Sequence, residues 1–195
     1  MDDIVQQAMA KWPNVPHCRG WLALDARGVF RMRDEAAQTN NLAGDPIRHA
    51  ALLAFIHRNY ARDDQGAWYF QNGPQRVYVD LAATPYIART DPAAGLVLQD
   101  GQSLTSLEQV FLTDEGQLVF QDAEHIAMLD DRDMAECLPS LHWRGQAIGD
   151  TQLLEWLDAP DVNLQFVFGG KAISVQLVQR ADLAAQLGFI PLPRK

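Results

Sequence analysis

The sequence predicts an α+β protein built from two related strand-rich subdomains, each with a packed helix, that arose by internal duplication. Three observations predict this. Short runs of apolar residues, ended by Gly, Asp and Asn turns, carry the period-two pattern of half-buried strands. Two amphipathic helical stretches interrupt them, one after Asp45 and one around Leu153–Leu157. Those stretches align at a constant offset of 101: Gly44, Ile47, Leu52, Leu53, Phe55 and Ile56 match Gly145, Ile148, Leu153, Leu154, Trp156 and Leu157. The order strand, turn, strand, loop, helix, strand, turn, strand also recurs in the second half. The Asp91-Pro92-Ala93-Ala94-Gly95 stretch marks the boundary, giving subdomains of residues 1–91 and 92–195.

Each element has a local reason. Residues 1–19 read as a short helix and a linker with Pro13 and Pro16. Trp21–Leu24 and Val29–Met32 form two strands around the Asp25-Ala26-Arg27-Gly28 turn. Residues 33–43, with Asn40-Asn41, read as a loop. Asp45 is a good N-cap and Pro46 suits a first helical position, so a helix is expected from there through Ala50, Leu53, Ile56 and Tyr60. Trp68–Phe70 and Val77–Leu81 are strands around Asn72-Gly73-Pro74, with Val77, Val79 and Leu81 on one face and Tyr78 and Asp80 on the other. Thr84–Ile87 continues extended because the residue before a proline avoids the α region. In the second half, strands are expected at 96–98, 109–112, 118–120, 164–168 and 172–178, with helices around 153–157 and 181–187.

Composition narrows the function classes. Of 195 residues, 48% are hydrophobic, enough for a packed core. The formal charge is −9 and only three residues are Lys, which disfavours nucleic acid and anionic membrane surfaces as partners. The first residues lack the basic-then-apolar order of a secretory signal, and no apolar run is long enough to span a bilayer. Cys18 and Cys137 are isolated thiols, expected reduced, so the expected compartment is the cytoplasm.

Catalytic signatures are missing. There is no G-x-G-x-x-G, Walker loop, H-E-x-x-H, G-x-S-x-G or paired C-x-x-C, and the five histidines do not cluster. No cofactor and no metal are expected. Two places carry polar groups suited to a ligand. On the helix expected from Asp45, Arg48 and His49 project into the same arc as Leu52, Phe55, Ile56 and Tyr60, and a cation there needs a partner, an open cleft or an exit to solvent. In Trp68–Arg76, the amides of Asn72 and Gln75 and the guanidinium of Arg76 surround a tight turn, a set able to hold a carboxylate or phosphate. Arg76 is expected on a concave surface shared with Arg48 and His49.

Residues 24–88 resemble an uncharacterised bacterial family, the domain of unknown function 1285 type. The likeness rests on Asp25–Gly28, Gly44-Asp45-Pro46-Ile47, Leu52–Ile56, Gly66-Ala67-Trp68-Tyr69, Pro74-Gln75-Arg76-Val77-Tyr78-Val79 and Thr84-Pro85-Tyr86-Ile87-Ala88. The resemblance implies a two-part α+β fold with repeated motifs and a role in signalling. Two departures stand out: the loop 33–43 replaces an aromatic strand, and Gln75 replaces an acidic residue.

The leading reading is therefore a non-enzymatic regulatory protein that binds a small anionic molecule or a peptide through Arg48, His49, Asn72, Gln75 and Arg76. An enzyme using His49 as acid or base, and an adaptor that self-associates through exposed strands or aromatics, are the alternatives.

Overall fold

The first hairpin closes as its turn residues require. Asp25 Oδ1 accepts from the backbone N–H of Arg27 and Val29 at 3.0 and 2.9 Å, and Gly28 takes φ +77°. In the computed structural model, which describes residues 1–160 and 163–194, the chain divides into two units. The first is Met1–Pro85 joined by the C-terminal residues from Gly188, and the second is Tyr86–Leu187. Residue 92, expected at the boundary, instead lies in a hairpin turn of the second unit, where Asp91 Oδ1 accepts from Ala93 and Ala94 N–H at 2.8 Å.

The first unit contains α1 (Asp3–Lys11), β1 (Cys18–Leu24), β2 (Phe30–Met32), α2 (Glu35–Thr39), β3 (Asp45–Pro46), α3 (Ala50–Arg58), β4 (Tyr60–Arg62), β5 (Trp68–Asn72) and β6 (Gln75–Leu81). Its strands form one six-stranded sheet in the order β3-β2-β1-β6-β5-β4, with β1 and β6 parallel and every other neighbour antiparallel. The register pairs Cys18 with Val77, Leu22 with Val79 and Leu24 with Leu81, so one face is apolar. α3 lies on that face: Leu52, Phe55 and Ile56 border the same cavity as Leu22 and Val77, and the Phe55 and Phe70 rings meet at 5.3 Å. Of these α3 residues Ile56 is the fully buried one, and full burial of a side chain of this size stabilises by about 1.5–3 kcal/mol.

Three local expectations change. Asp45-Pro46 is not a helix start but a strand paired with Met32 and Arg31. Gly44, at φ +81°, turns the chain into that ladder, and Ile47 N–H continues it by donating to Phe30 O at 2.8 Å. A proline is tolerated there because β3 is an edge strand. α3 begins at Ala50, capped by His49, whose Nδ1 accepts from Leu52 N–H at 3.2 Å. The helix ends at Arg58, so Tyr60 belongs to β4. The presumed loop 33–43 contains α2, capped by Asp34, whose Oδ1 accepts from Ala37 N–H at 2.7 Å.

The second unit contains β7 (Tyr86–Asp91), β8 (Gly95–Leu98), β9 (Ser103–Leu104), β10 (Gln109–Thr113), β11 (Leu118–Gln121), β12 (Ile126–Leu129), α4 (Met134–Cys137), β13 (Leu141–Trp143), β14 (Gln146–Ala147), α5 (Asp150–Asp158), β15 (Leu164–Phe168), β16 (Lys171–Val178) and α6 (Leu183–Leu187). Its strands run β14-β13-β15-β16-β10-β11-β12-β7-β8-β9. Within this order, β12-β11-β10-β16-β15 repeats the β3-β2-β1-β6-β5 order of the first unit. The central pair is parallel in both, β1 with β6 and β10 with β16, and both are flanked by antiparallel hairpins. Each last hairpin follows a helix, α3 or α5. The strand beyond it differs in origin: β4 follows its helix, whereas β13 precedes α5. Shared connectivity around a parallel pair is the mark of duplication. Both cysteines are free, and burial pushes the Cys137 thiol up to about 12. Among the described residues no helix is long and apolar enough to cross a membrane.

Candidate functional site

Alternation along β6 sends Val77 towards α3 and lifts Arg76, Tyr78 and Asp80 onto the opposite face of the first sheet. Tyr69 pairs with Tyr78 across β5 and β6, and Arg76 lies diagonally from Tyr69, where its guanidinium stacks over the ring at 4.5 Å. On the other side β1 brings Arg19 over the Tyr78 ring at 4.4 Å. His17 meets Tyr78 edge-on at 5.7 Å. Two tyrosines thus meet two arginines and a histidine, drawn from chain segments far apart in sequence.

The returning C-terminal residues wall this surface. Ile190 N–H donates to Gly66 O at 3.0 Å, Leu81 N–H donates to Pro191 O at 2.8 Å, and Arg194 makes two hydrogen bonds to Asp80, at 2.7 and 2.9 Å. Gly66 is required at this junction. Its φ is +93°, and a Cβ there would stand 2.4 Å from Gly188 O. The result is a cavity of about 540 Å³ whose lining includes Ala67, Tyr78, Arg19, Arg76, His17 and Arg194, together with Asp63 and Asp64.

The charges are unequally matched. Asp63 is already engaged, accepting from the N–H groups of Gln65 and Ala67 and from the Tyr78 hydroxyl at 3.0 Å. Burial opposes its ionisation, but the bonds from Ala67, Tyr78 and Gln65 and the nearby Arg76 charge outweigh that and hold the carboxyl below its usual range. Asp64 is exposed to solvent. Arg33 and Arg194 share the buried Asp80 carboxylate. Arg19 and Arg76 have no ion pair among the described residues, and the buried Nε of Arg19 has no hydrogen-bond partner. Stacking on a ring orients a guanidinium without neutralising it, and an unmet buried donor costs about 1–3 kcal/mol. For Arg76, burial disfavours the charge, yet the Tyr78 hydroxyl and neighbouring groups raise the pKa further. Burial, then the charges of Arg76 and Arg19, hold the His17 pKa below its ordinary value.

Of the five residues singled out from sequence, the cavity contains Arg76. Gln75 sits beside it but its Nε2 donates to Pro16 O at 2.9 Å. Asn72 is exposed and borders a separate apolar cavity of about 280 Å³ on the α3 face. Arg48 and His49 are exposed and border none of these cavities, so the expected concavity shared by Arg76, Arg48 and His49 does not form. Both residues precede the first turn of α3, since that helix starts at Ala50, and His49 is used as its cap. Arg19, His17 and Arg194 join the site through long-range pairing that no local pattern announces.

The DUF2944 family model, described as Protein of unknown function (DUF2946), matches residues 1–194. No curated protein matches the chain. Among solved structures, a DUF1285 family protein from Silicibacter pomeroyi DSS-3 is similar at a TM-score of 0.52 and 12% identity, covering 94% of this chain and 98% of that one. Another, from Shewanella baltica OS155, has a TM-score of 0.40 and 13% identity, covering 57% of this chain and 85% of that one. The resemblance read over residues 24–88 thus extends, as a likeness of fold, to nearly the whole chain.

Proposed function

This chain belongs to that family of unknown function matched over residues 1–194, and from the chemistry of the first unit we propose that it is a non-enzymatic regulatory protein that binds a small anion, or a peptide bearing one. The observation that carries the reading is the pair Arg19 and Arg76. Both lie over tyrosine rings, both line one cavity, and neither makes an ion pair among the described residues, although Asp63 and Asp64 line the same cavity. On a chain of formal charge −9 such a local cationic site is a selective attractor for carboxylate or phosphate. A role in signal transduction is the part of the proposal that rests on the family resemblance, and a cytoplasmic location the part that rests on the isolated thiols.

The test is calorimetric titration of inorganic phosphate into the full chain and into Arg76→Ala. Loss of a charged hydrogen bond weakens binding by about 1–3 kcal/mol, roughly 5- to 150-fold, with an unchanged circular dichroism spectrum. Absence of phosphate binding, or equal binding by the variant, contradicts the reading.

A further inference from the structure

Next to the Arg76 cavity lies a smaller concavity of about 230 Å³, lined by Arg19, Gly20, Arg33, Gln38, Asn41 and Arg194. Arg19 and Arg194 border both. Among the described residues, the smaller one is lined by three guanidiniums and two amides, with no carboxylate. Asp80 bonds to Arg33 and Arg194, and its side chain is only 5% exposed. One carboxylate facing two guanidiniums leaves one positive charge, and Arg19 adds a second. Gln38 is fixed against this wall: its Nε2 donates to Arg33 O at 3.1 Å, and Gly20, at φ +82°, leaves room for Oε1, which a Cβ would approach to 2.6 Å.

We propose that this concavity is a second anion subsite, so that the ligand is a small molecule with two anionic groups. One group is held by Arg76 and Arg19, the other by Arg19, Arg33 and Arg194. The inference rests on the anion-binding reading above. Spacing follows from the strand. Arg76 and Asp80 are four residues apart on β6, about 13 Å at a rise of ~3.3 Å per residue. Arg19 stacks on Tyr78, midway between them, so the two subsites are centred about 6–7 Å apart. A ligand that reaches both makes its second contact intramolecularly. Affinity then depends on the length of the tether, which general electrostatic attraction does not produce.

The experiment titrates acetate, inorganic phosphate and the linear dicarboxylates from malonate to adipate into the full chain, Arg194→Ala and Gln38→Glu. Gln38→Glu places a negative charge in the smaller concavity alone. The expected result is an affinity that rises about tenfold or more from malonate to adipate, with that rise flattened in both variants. A length-independent series in the unsubstituted protein, with phosphate still bound through Arg76, overturns the second subsite and leaves the first reading standing. No binding of any probe overturns both.

Discussion

Arg31 pairs with Asp25 and Arg58 with Asp2, while Arg33 and Arg194 share the single carboxylate of Asp80. Arg19 and Arg76 are stacked on tyrosines instead, which spends little of their hydrogen-bonding capacity. His17 reports on what they hold. Without ligand its pKa is lowered, first by burial and then by the Arg76 and Arg19 charges. A bound anion offsets those charges and raises it, so binding takes up a proton. Affinity therefore increases as pH falls through the liganded pKa of His17 towards its lower unliganded one. Sulfate, whose charge is constant over that range, is the suitable probe: its affinity rises on acidification and His17→Gln removes the slope. Sulfate affinity that is flat or falls on acidification contradicts this coupling. Arg76 was legible in the sequence because alternation opposite Val77 and Val79 fixes its face. Arg19 was not, because its position depends on a parallel pairing to β6 whose register shifts between Cys18 and Leu22.

Helix α3 shows how a good local rule yields to a long-range one. Asp45-Pro46 satisfies the chemistry of a helix start, but the same proline fits an edge strand, and the ladder with β2 claims it. The cap passes to His49, whose imidazole Nδ1 serves where Asp or Ser is more common. His49→Ala should lower stability in urea by about 0.5–2 kcal/mol, and His49→Asp should preserve or raise it, with phosphate binding the same in both. Loss of phosphate binding in His49→Asp would return His49 to the site. The β5–β6 hairpin and the apolar face of α3 were readable, since Asn72-Gly73 and the helical spacing of Leu52, Phe55 and Ile56 are local signals. α2 was hidden because its five residues carry one buried side chain, Ala37, and no apolar stripe.

At the scale of the molecule, duplication was readable from the paired helices and the repeated element order, and the strand connectivity now carries it further than the helices did. The boundary was harder. A Pro- and Ala-rich stretch resembles a linker, but Asp91 folds it into a hairpin turn. The return of the C-terminal residues to the first unit depends on Gly66, Leu81 and Asp80, far away in sequence. That return places Arg194 at the site and ties the anion-binding claim to one unit only. A ligand that binds the native state protects the parts whose opening would release it. The most direct test is amide hydrogen exchange of the full chain with and without sulfate. The account predicts slower exchange in β1, β6 and residues 188–194, abolished by Arg76→Ala, and unchanged exchange in β7–β16. Protection confined to the second unit, around Arg48 and His49 alone, or nowhere, would contradict it.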